Sequence, residues 1–359
     1  MSTSRVQAAA APQARPTPQI LAASGAGRDG AVALWLWSIA VIVFLMILVG
    51  GATRLTDSGL SITEWQPLLG AIPPLSDADW QAAFAKYREI PEYELVNKGM
   101  SLEAFKAIFW WEWGHRFLGR LIGLAFAVPL VAFWALGRLR AGLAPKLAGV
   151  FLLGGLQGAI GWYMVKSGLV DRVDVSQYRL ALHLTIAFLI LGAVVWLALG
   201  LARVDGAVRL RTVTAGQRRT AVALAALVLA QVVLGALVAG TKAGLTYNTW
   251  PLMGGRLIPE DAYPNLLAPF EDVTTAQFNH RMMAYIVAGT VAALWYAGRR
   301  ASAATTTGNV LLVALVVQML LGIWTLIAVM PIWLAALHQA GAVLLLTGAV
   351  VHADALRRP

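Results

Sequence analysis

From Ala301 to Ala353 the chain carries no Asp, Glu, Lys or Arg. No water-soluble domain presents such a stretch, because about a quarter of its residues are charged. The run is too long for a single membrane crossing of about 20 residues. Pro331 divides it and predicts two helices, over Asn309–Met330 and Trp333–Val351. Apolar runs of spanning length recur upstream. They lie over Ala31–Thr53 and Glu112–Trp134, between Lys146 and Lys166, between Arg179 and Arg203, between Arg219 and Lys242, and from Gln277 to just before Arg299. Eight spans follow, in a chain that is 59% hydrophobic and 13% charged. The predicted class is therefore all-α and polytopic. Cysteine is absent, which excludes disulfides, iron–sulfur clusters and thiolate ligands.

Charge placement predicts topology. Residues 1–30, 138–146, 203–219, 299–300 and the C-terminal tail 354–359 are strongly basic, whereas 54–112, 166–179 and 242–281 hold more acids than bases. Basic loops stay on the cytoplasmic side, so both termini are expected there, and the long 54–111 loop on the periplasmic side. The net charge of +10 is read as topology, with no nucleic-acid partner. Residues 1–30, rich in Ala, Pro, Ser and Gly, are expected to form a disordered cytoplasmic tail. The following run is too long for a cleaved signal peptide. A bacterial inner membrane is the expected location; a presequence and the mitochondrial inner membrane form the alternative. Within the 54–111 loop, amphipathic helices are expected near Asp79–Ile90 and Ser101–Trp111. Phe109, Trp110, Trp111 and Trp113 suit a membrane interface.

The chain repeats itself. Gly59-Leu60-Ser61 with Trp65, Pro67 and Leu68 matches Gly244-Leu245-Thr246 with Trp250-Pro251-Leu252. Gln157 and Trp162 in span three match Gln318 and Trp324 in span seven, with one residue inserted. His115-Arg116 matches His280-Arg281, and Leu182-His183 matches Leu337-His338. Four spans separate the copies, so both insert the same way up. Two tandem four-helix bundles with parallel pseudo-two-fold symmetry are predicted, over residues 31–202 and 220–353, joined by a cytoplasmic linker at 203–219.

Four of the five histidines, His115, His183, His280 and His338, hold matching places near the same end of four different spans. A lone histidine in a span often serves as an interhelical hydrogen bonder; four in duplicated positions argue for ligands. Pairing 115 with 183 and 280 with 338 gives each bundle two imidazoles on different helices. Porphyrin iron takes axial nitrogens from opposite faces, and the macrocycle is large and apolar enough for a bundle interior. Zinc would need more donors around one centre. Gly119, Gly123, Gly158, Gly161, Gly235 and Gly322 are candidates for making room. His352 lies outside the repeat. Arg116 and Arg281 are placed either to pair with porphyrin carboxylates or to snorkel to the interface, and Arg120 could do either. Glu112 stands three residues before His115, where the second copy has Gln277; only the carboxyl exchanges a proton, so Glu112 marks the first bundle as catalytic. Glu64, aligned with Thr249, reads equally as a solvated loop acid or a functional one. Gln157, Gln231 and Gln318 could be helix–helix glue or cofactor contacts.

Over residues 33–351 the chain resembles the heme A synthase family. The likeness rests on Gly50-Gly51-Ala52-Thr53-Arg54-Leu55-Thr56-Asp57-Ser58-Gly59-Leu60-Ser61, Trp65 with Pro67, Glu112-x-x-His115-Arg116, Gln157-Gly158, His183, Gly240-Thr241-Lys242-Ala243-Gly244, Asn248-Thr249-Trp250-Pro251, Phe278-Asn279-His280-Arg281 and His338-Gln339. The resemblance implies oxidation of the C8 methyl of heme O to a formyl group, giving heme A, through two hydroxylations and loss of water. It implies that His115 and His183 hold the substrate heme, that Glu112 assists proton transfer or orients the substrate, and that His280 and His338 ligate a resident heme b. Partners implied are the lipid bilayer, heme O synthase, oxidase assembly factors and a redox partner, with homo-oligomers possible. Some bacterial members carry cysteine pairs in outer loops, which this chain lacks. The non-enzymatic alternative is a diheme b-type cytochrome moving electrons between quinone and a partner protein. A transporter, predicting interrupted helices and no heme, is a third class.

Overall fold

The computed structural model describes residues 18–67, 69–201 and 213–357. Eleven α-helices occur among them: α1 (Pro18–Leu55), α2 (Asp77–Tyr87), α3 (Pro91–Leu95), α4 (Leu102–Ala135), α5 (Leu143–Asp171), α6 (Gln177–Leu201), α7 (Ala215–Gly240), α8 (Ala268–Glu271), α9 (Val273–Arg300), α10 (Thr305–Ile327) and α11 (Ile332–Arg357). Seven of these are long and apolar enough to cross a membrane: α1 from Asp29, α4, α5, α6, α7, α10 and α11. The eighth expected span falls on α9. That helix has 28 residues, but it opens on the polar stretch Val273-Thr-Thr-Ala-Gln-Phe-Asn-His-Arg281 and closes on Arg299 and Arg300, which dilutes its apolar character. Side chains such as Leu124, Val128, Val131 and Leu152 stand more than half exposed on the spans. So much outward apolar surface suits an apolar solvent rather than water.

Several boundaries differ from the sequence expectation. The helical backbone begins at Pro18, inside the stretch expected to be disordered; proline is accepted in a first turn, and Ile20-Leu21-Ala22-Ala23 favours helix. Residues 1–17 lie outside the described residues, as do 202–212, which hold most of the expected linker. The rest of that linker starts α7, where Thr214 and Gln217 form a reciprocal capping box. Helix α11 runs on to Arg357, so four residues of the expected C-terminal tail are helical. The separate helix expected over Ser101–Trp111 is the first part of α4. Ser101 caps it by accepting from Ala104 N, and nothing before Glu112 stops a helix, so 34 residues run on unbroken.

In the first half, α1 packs on α4 and α6, and α5 packs on both α4 and α6. In the second, α7 packs on α9 and α11, and α10 on both α9 and α11. The halves meet through α6 against α7 and α11, and through α1 against α11. One apolar cluster runs across that seam, with Leu36, Phe188, Val194, Leu224, Leu346 and Ala349 all buried. Gln339 crosses it too, donating to Ile47 O at 2.9 Å. The loop after α1 has its own small core: Trp80, Phe84 and Tyr87 of α2 pack on Phe105 and Phe109 of α4, with Leu60 and Val175 beneath. The Phe84 and Phe105 rings stack at 5.0 Å, and Trp80 meets Phe109 edge-on at 4.9 Å. This folded cap lies over the histidine end of the first half.

Candidate functional site

The four histidines come together as two pairs. His115 of α4 faces His183 of α6 with ring centroids 6.5 Å apart and planes at 67°. His280 of α9 faces His338 of α11 at 6.4 Å and 81°. Two metal–nitrogen bonds of about 2 Å each, plus two ring radii of roughly 1 Å each, span about 6 Å. Each pair thus stands at the separation of two axial imidazoles on one metal. Among the described residues no group of three or more His, Cys, Asp or Glu is placed to hold a metal ion. Two donors per site suit a metal whose other positions are filled by a macrocycle, not a protein-only zinc centre. His183 Nδ1 and His338 Nδ1 are buried without a hydrogen-bond partner.

Each histidine lies against a glycine of a neighbouring helix. A Cβ on Gly50 of α1 would sit 2.9 Å from His115 Nε2, and one on Gly161 of α5 would sit 2.8 Å from His183 Cε1. The corresponding distances are 3.0 Å from Gly235 of α7 to His280 Cε1 and 2.7 Å from Gly322 of α10 to His338 Cε1. Of the glycines expected to make room, Gly161, Gly235 and Gly322 do so at the histidines. A Cβ on Gly119 would meet the Met46 methyl at 3.4 Å, and one on Gly123 or Gly158 would meet nothing within 4 Å. Gly50 was missed, although the repeat marks it: it stands to Gly59 as Gly235 stands to Gly244.

The buried glutamines take a definite part. Gln157 Nε2 donates to His183 O at 2.9 Å, Gln318 Nε2 to His338 O at 3.0 Å, and Gln231 Nε2 to His280 O at 3.1 Å. Each holds the backbone of a histidine on the adjacent helix. Gln231 also lies 3.1 Å from His280 Nδ1. The position matching Gln231 in the first half is Met46, so His115 has no such amide.

Glu112 is buried, and four donors hold its carboxylate. Oε2 accepts from Ser61 Oγ and Ile62 N, both at 2.7 Å; Oε1 accepts from Arg116 Nη2 at 2.6 Å and Nε at 3.1 Å. Arg116 also donates to Ile62 O at 2.8 Å and Glu64 O at 3.0 Å. The second half repeats this clamp. Arg281 donates to Tyr247 O at 2.8 Å and Thr249 O at 2.9 Å, the aligned positions. Gln277 takes the place of Glu112, its Oε1 accepting from Arg281 Nη2 at 3.3 Å and its Nε2 donating to Ala243 O at 3.0 Å. The Glu112/Gln277 difference therefore has a local counterpart. The first loop offers a hydroxyl and an N–H, which need an acceptor; the second offers carbonyls, which need a donor. Both arginines pin the loop beyond α1 or α7 over a histidine pair. Arg281 is ion-paired with no described carboxylate, and its Nε is buried without a partner.

The remaining sequence candidates separate from the pairs. Arg120 donates to Pro67 O and Gln66 O, leaving Nη1 buried and unpartnered. Glu64 is half exposed and ion-paired with Lys86 at 2.6 Å. His352 is buried at the other end of α11, with Nδ1 2.9 Å from Thr307 Oγ1. The sequence reading also passed over Glu92 of α3. It is 3% exposed with Oε2 unpartnered, and burial, then Glu112, Asp57 and Asp174, push its carboxyl up to about 8. The buried Tyr87 hydroxyl beside it is pushed up as well, by burial and then by Glu92 itself.

Comparison with known proteins gives one consistent result. A family model described as cytochrome oxidase assembly protein matches residues 33–350. A protein named heme A synthase from Parvibaculum lavamentivorans is 52% identical over 333 residues, covering 91% of this chain and 95% of its own length. Proteins of the same name from a Chelativorans species and from Azorhizobium caulinodans are 53% and 50% identical, each covering 91% of this chain and 91% and 95% of their own lengths.

Proposed function

The chain belongs to the cytochrome oxidase assembly protein family, and from that premise we propose that it is a heme A synthase, oxidising the C8 methyl of heme O to a formyl group. The observation that carries the reading is the pair of imidazole couples, each at bis-axial separation. In this reading His115 and His183 hold the substrate, heme O, in the half over 31–202. His280 and His338 hold a resident heme b in the half over 220–353. Heme b, when bound, supplies one-electron transfer.

The rest is the work of the chain's own side chains. Gly50, Gly161, Gly235 and Gly322 let neighbouring helices close on the imidazoles, and Gln157, Gln231 and Gln318 fix three of the four histidine backbones. Arg281, with its spare Nε–H, would pair with a porphyrin carboxylate when heme is bound, and Arg116 would do so with the donor its Glu112, Ile62 and Glu64 bonds leave. Glu112 is the residue at this position that can carry a proton, as Gln277 cannot, and it also anchors the loop that closes the substrate site. All eight long helices, α9 included, cross the bacterial inner membrane, with both termini in the cytoplasm and the histidine pairs near the periplasmic face. Heme O synthase, oxidase assembly factors and an electron partner are the expected company.

The test is co-expression with a source of heme O, followed by extraction and mass analysis of the hemes. Heme A should appear in the wild type. Glu112→Gln should keep its heme and lose conversion by about 100-fold or more, the range of a lost acid–base group. A protein that stays colourless with heme supplied overturns the assignment, and full conversion by Glu112→Gln removes that residue's proton role.

A further inference from the structure

At the end of the bundle away from the histidines, α5, α6, α7 and α11 border a groove of about 510 Å³ on the seam between the halves. Its walls are apolar, among them Val150, Phe188, Gly192, Val222, Leu229 and Leu346. Its two charged lining residues, Lys146 and Arg357, are both cationic. Both are exposed and neither is ion-paired among the described residues. The Arg357 guanidinium lies 4.7 Å from the centre of the Trp196 ring, which holds it at the mouth. Along α6 the groove runs from Phe188 to Leu197, roughly 14 Å at about 1.5 Å per residue. That is the depth of one leaflet of a hydrocarbon core about 30 Å thick.

We propose that this groove is a binding site for an anionic phospholipid. One acyl chain lies along α6 between the halves, and the phosphate sits between Lys146 and Arg357. Charge complementarity selects the occupant. A neutral isoprenoid would fill the apolar walls equally well but would leave two unpaired cations at the mouth, and a zwitterionic lipid would set its own ammonium beside them, whereas an anionic lipid brings the phosphate without that repulsion. Basic pockets between helices at a basic membrane face recognise acidic headgroups in this way. The lipid bridges α6 of one half to α7 and α11 of the other, so its retention reports on the seam rather than on the histidine sites.

The experiment is native mass spectrometry of the full-length protein in mild detergent, after exchange with vesicles of equal parts phosphatidylglycerol and phosphatidylethanolamine. The wild type should retain phosphatidylglycerol preferentially. Lys146→Gln with Arg357→Gln should cut that preference by about 25-fold, each cation contributing roughly fivefold. Gly192→Leu, whose side chain would extend into the groove from a Cβ that meets nothing within 4 Å, should expel both lipids. Equal retention of the two lipids by the wild type, or an undiminished preference in the double variant, overturns the proposal. So does full lipid retention by Gly192→Leu, a variant whose reading does not depend on the double variant folding.

Discussion

A single buried carboxyl in the folded loop shows how side-chain environment outruns sequence. Glu92 looks like one more acid in an acidic loop, yet it is enclosed beside Tyr87 and faces Glu112, Asp57 and Asp174. Its carboxyl titrates near 8 folded, against an ordinary 4.5. The folded state thus binds this proton more tightly than the unfolded chain. The stabilisation is complete below pH 4.5, declines as pH rises, and is gone above about 8. Glu92→Gln, a neutral mimic, should flatten the fall in melting temperature across that window and raise it at pH 8; a pH series of thermal melts checks this. Gln231 acts on the second histidine pair in a similarly local way. Gln231→Met, installing the residue found at Met46, removes the amide from His280 and should weaken heme retention in the second half by about tenfold or more. Heme-to-protein ratios and the electron paramagnetic spectrum of that site provide the readout.

Helices meet these demands through their crossing points. Each histidine-bearing helix passes a neighbour at a glycine, and the imidazole occupies the space a methyl would need. Gly161→Ala would put a Cβ 2.8 Å from His183 Cε1, so the ring must move. Overpacking of about 1–3 kcal/mol is expected, with loss of heme from the first half. Gly158→Ala, three residues earlier on the same helix, meets nothing within 4 Å and should bind heme as the wild type does. Heme absorbance per protein separates the two variants. The continuity of α4 belongs to the same scale. Running unbroken from the cap of Ser101, it carries Phe105 and Phe109 into the loop core and His115 into the site, so cap and ligand share one rigid rod.

The halves are copies, but the seam between them is not symmetric. Asp57 and Lys242 hold equivalent places two residues before Gly59 and Gly244, and both have positive φ. Were the copies identical, like charges would face each other near the pseudo-two-fold axis. Instead Lys242 Nζ lies 3.6 Å from Asp57 and 2.9 Å from Asp174, while Arg54 binds both acids at 2.8 and 3.2 Å. Half-exposed pairs of this kind are worth little singly, but reversal of a charge inside a network costs more. Lys242→Asp should destabilise the protein by about 1 kcal/mol, less at high salt. Adding Asp57→Lys should restore part of the loss; thermal melts at two ionic strengths decide.

Seven of the eight expected spans, the duplication and the four histidines on four helices were legible in the chain, because apolar length and residue spacing are properties of a line. Even there the polar start of α9 blurred one span, since its Gln277 and Arg281 are satisfied by a loop remote in sequence. Only the tertiary structure decided that His115 meets His183 across 6.5 Å, that Gly50 leaves room for a ring on another helix, and that Glu112 is held by Ser61, Ile62 and Arg116. Apart from the i,i+4 pair of Glu112 and Arg116, those contacts join residues far apart along the chain. Their partners are chosen by how helices pack, and no local pattern carries that choice.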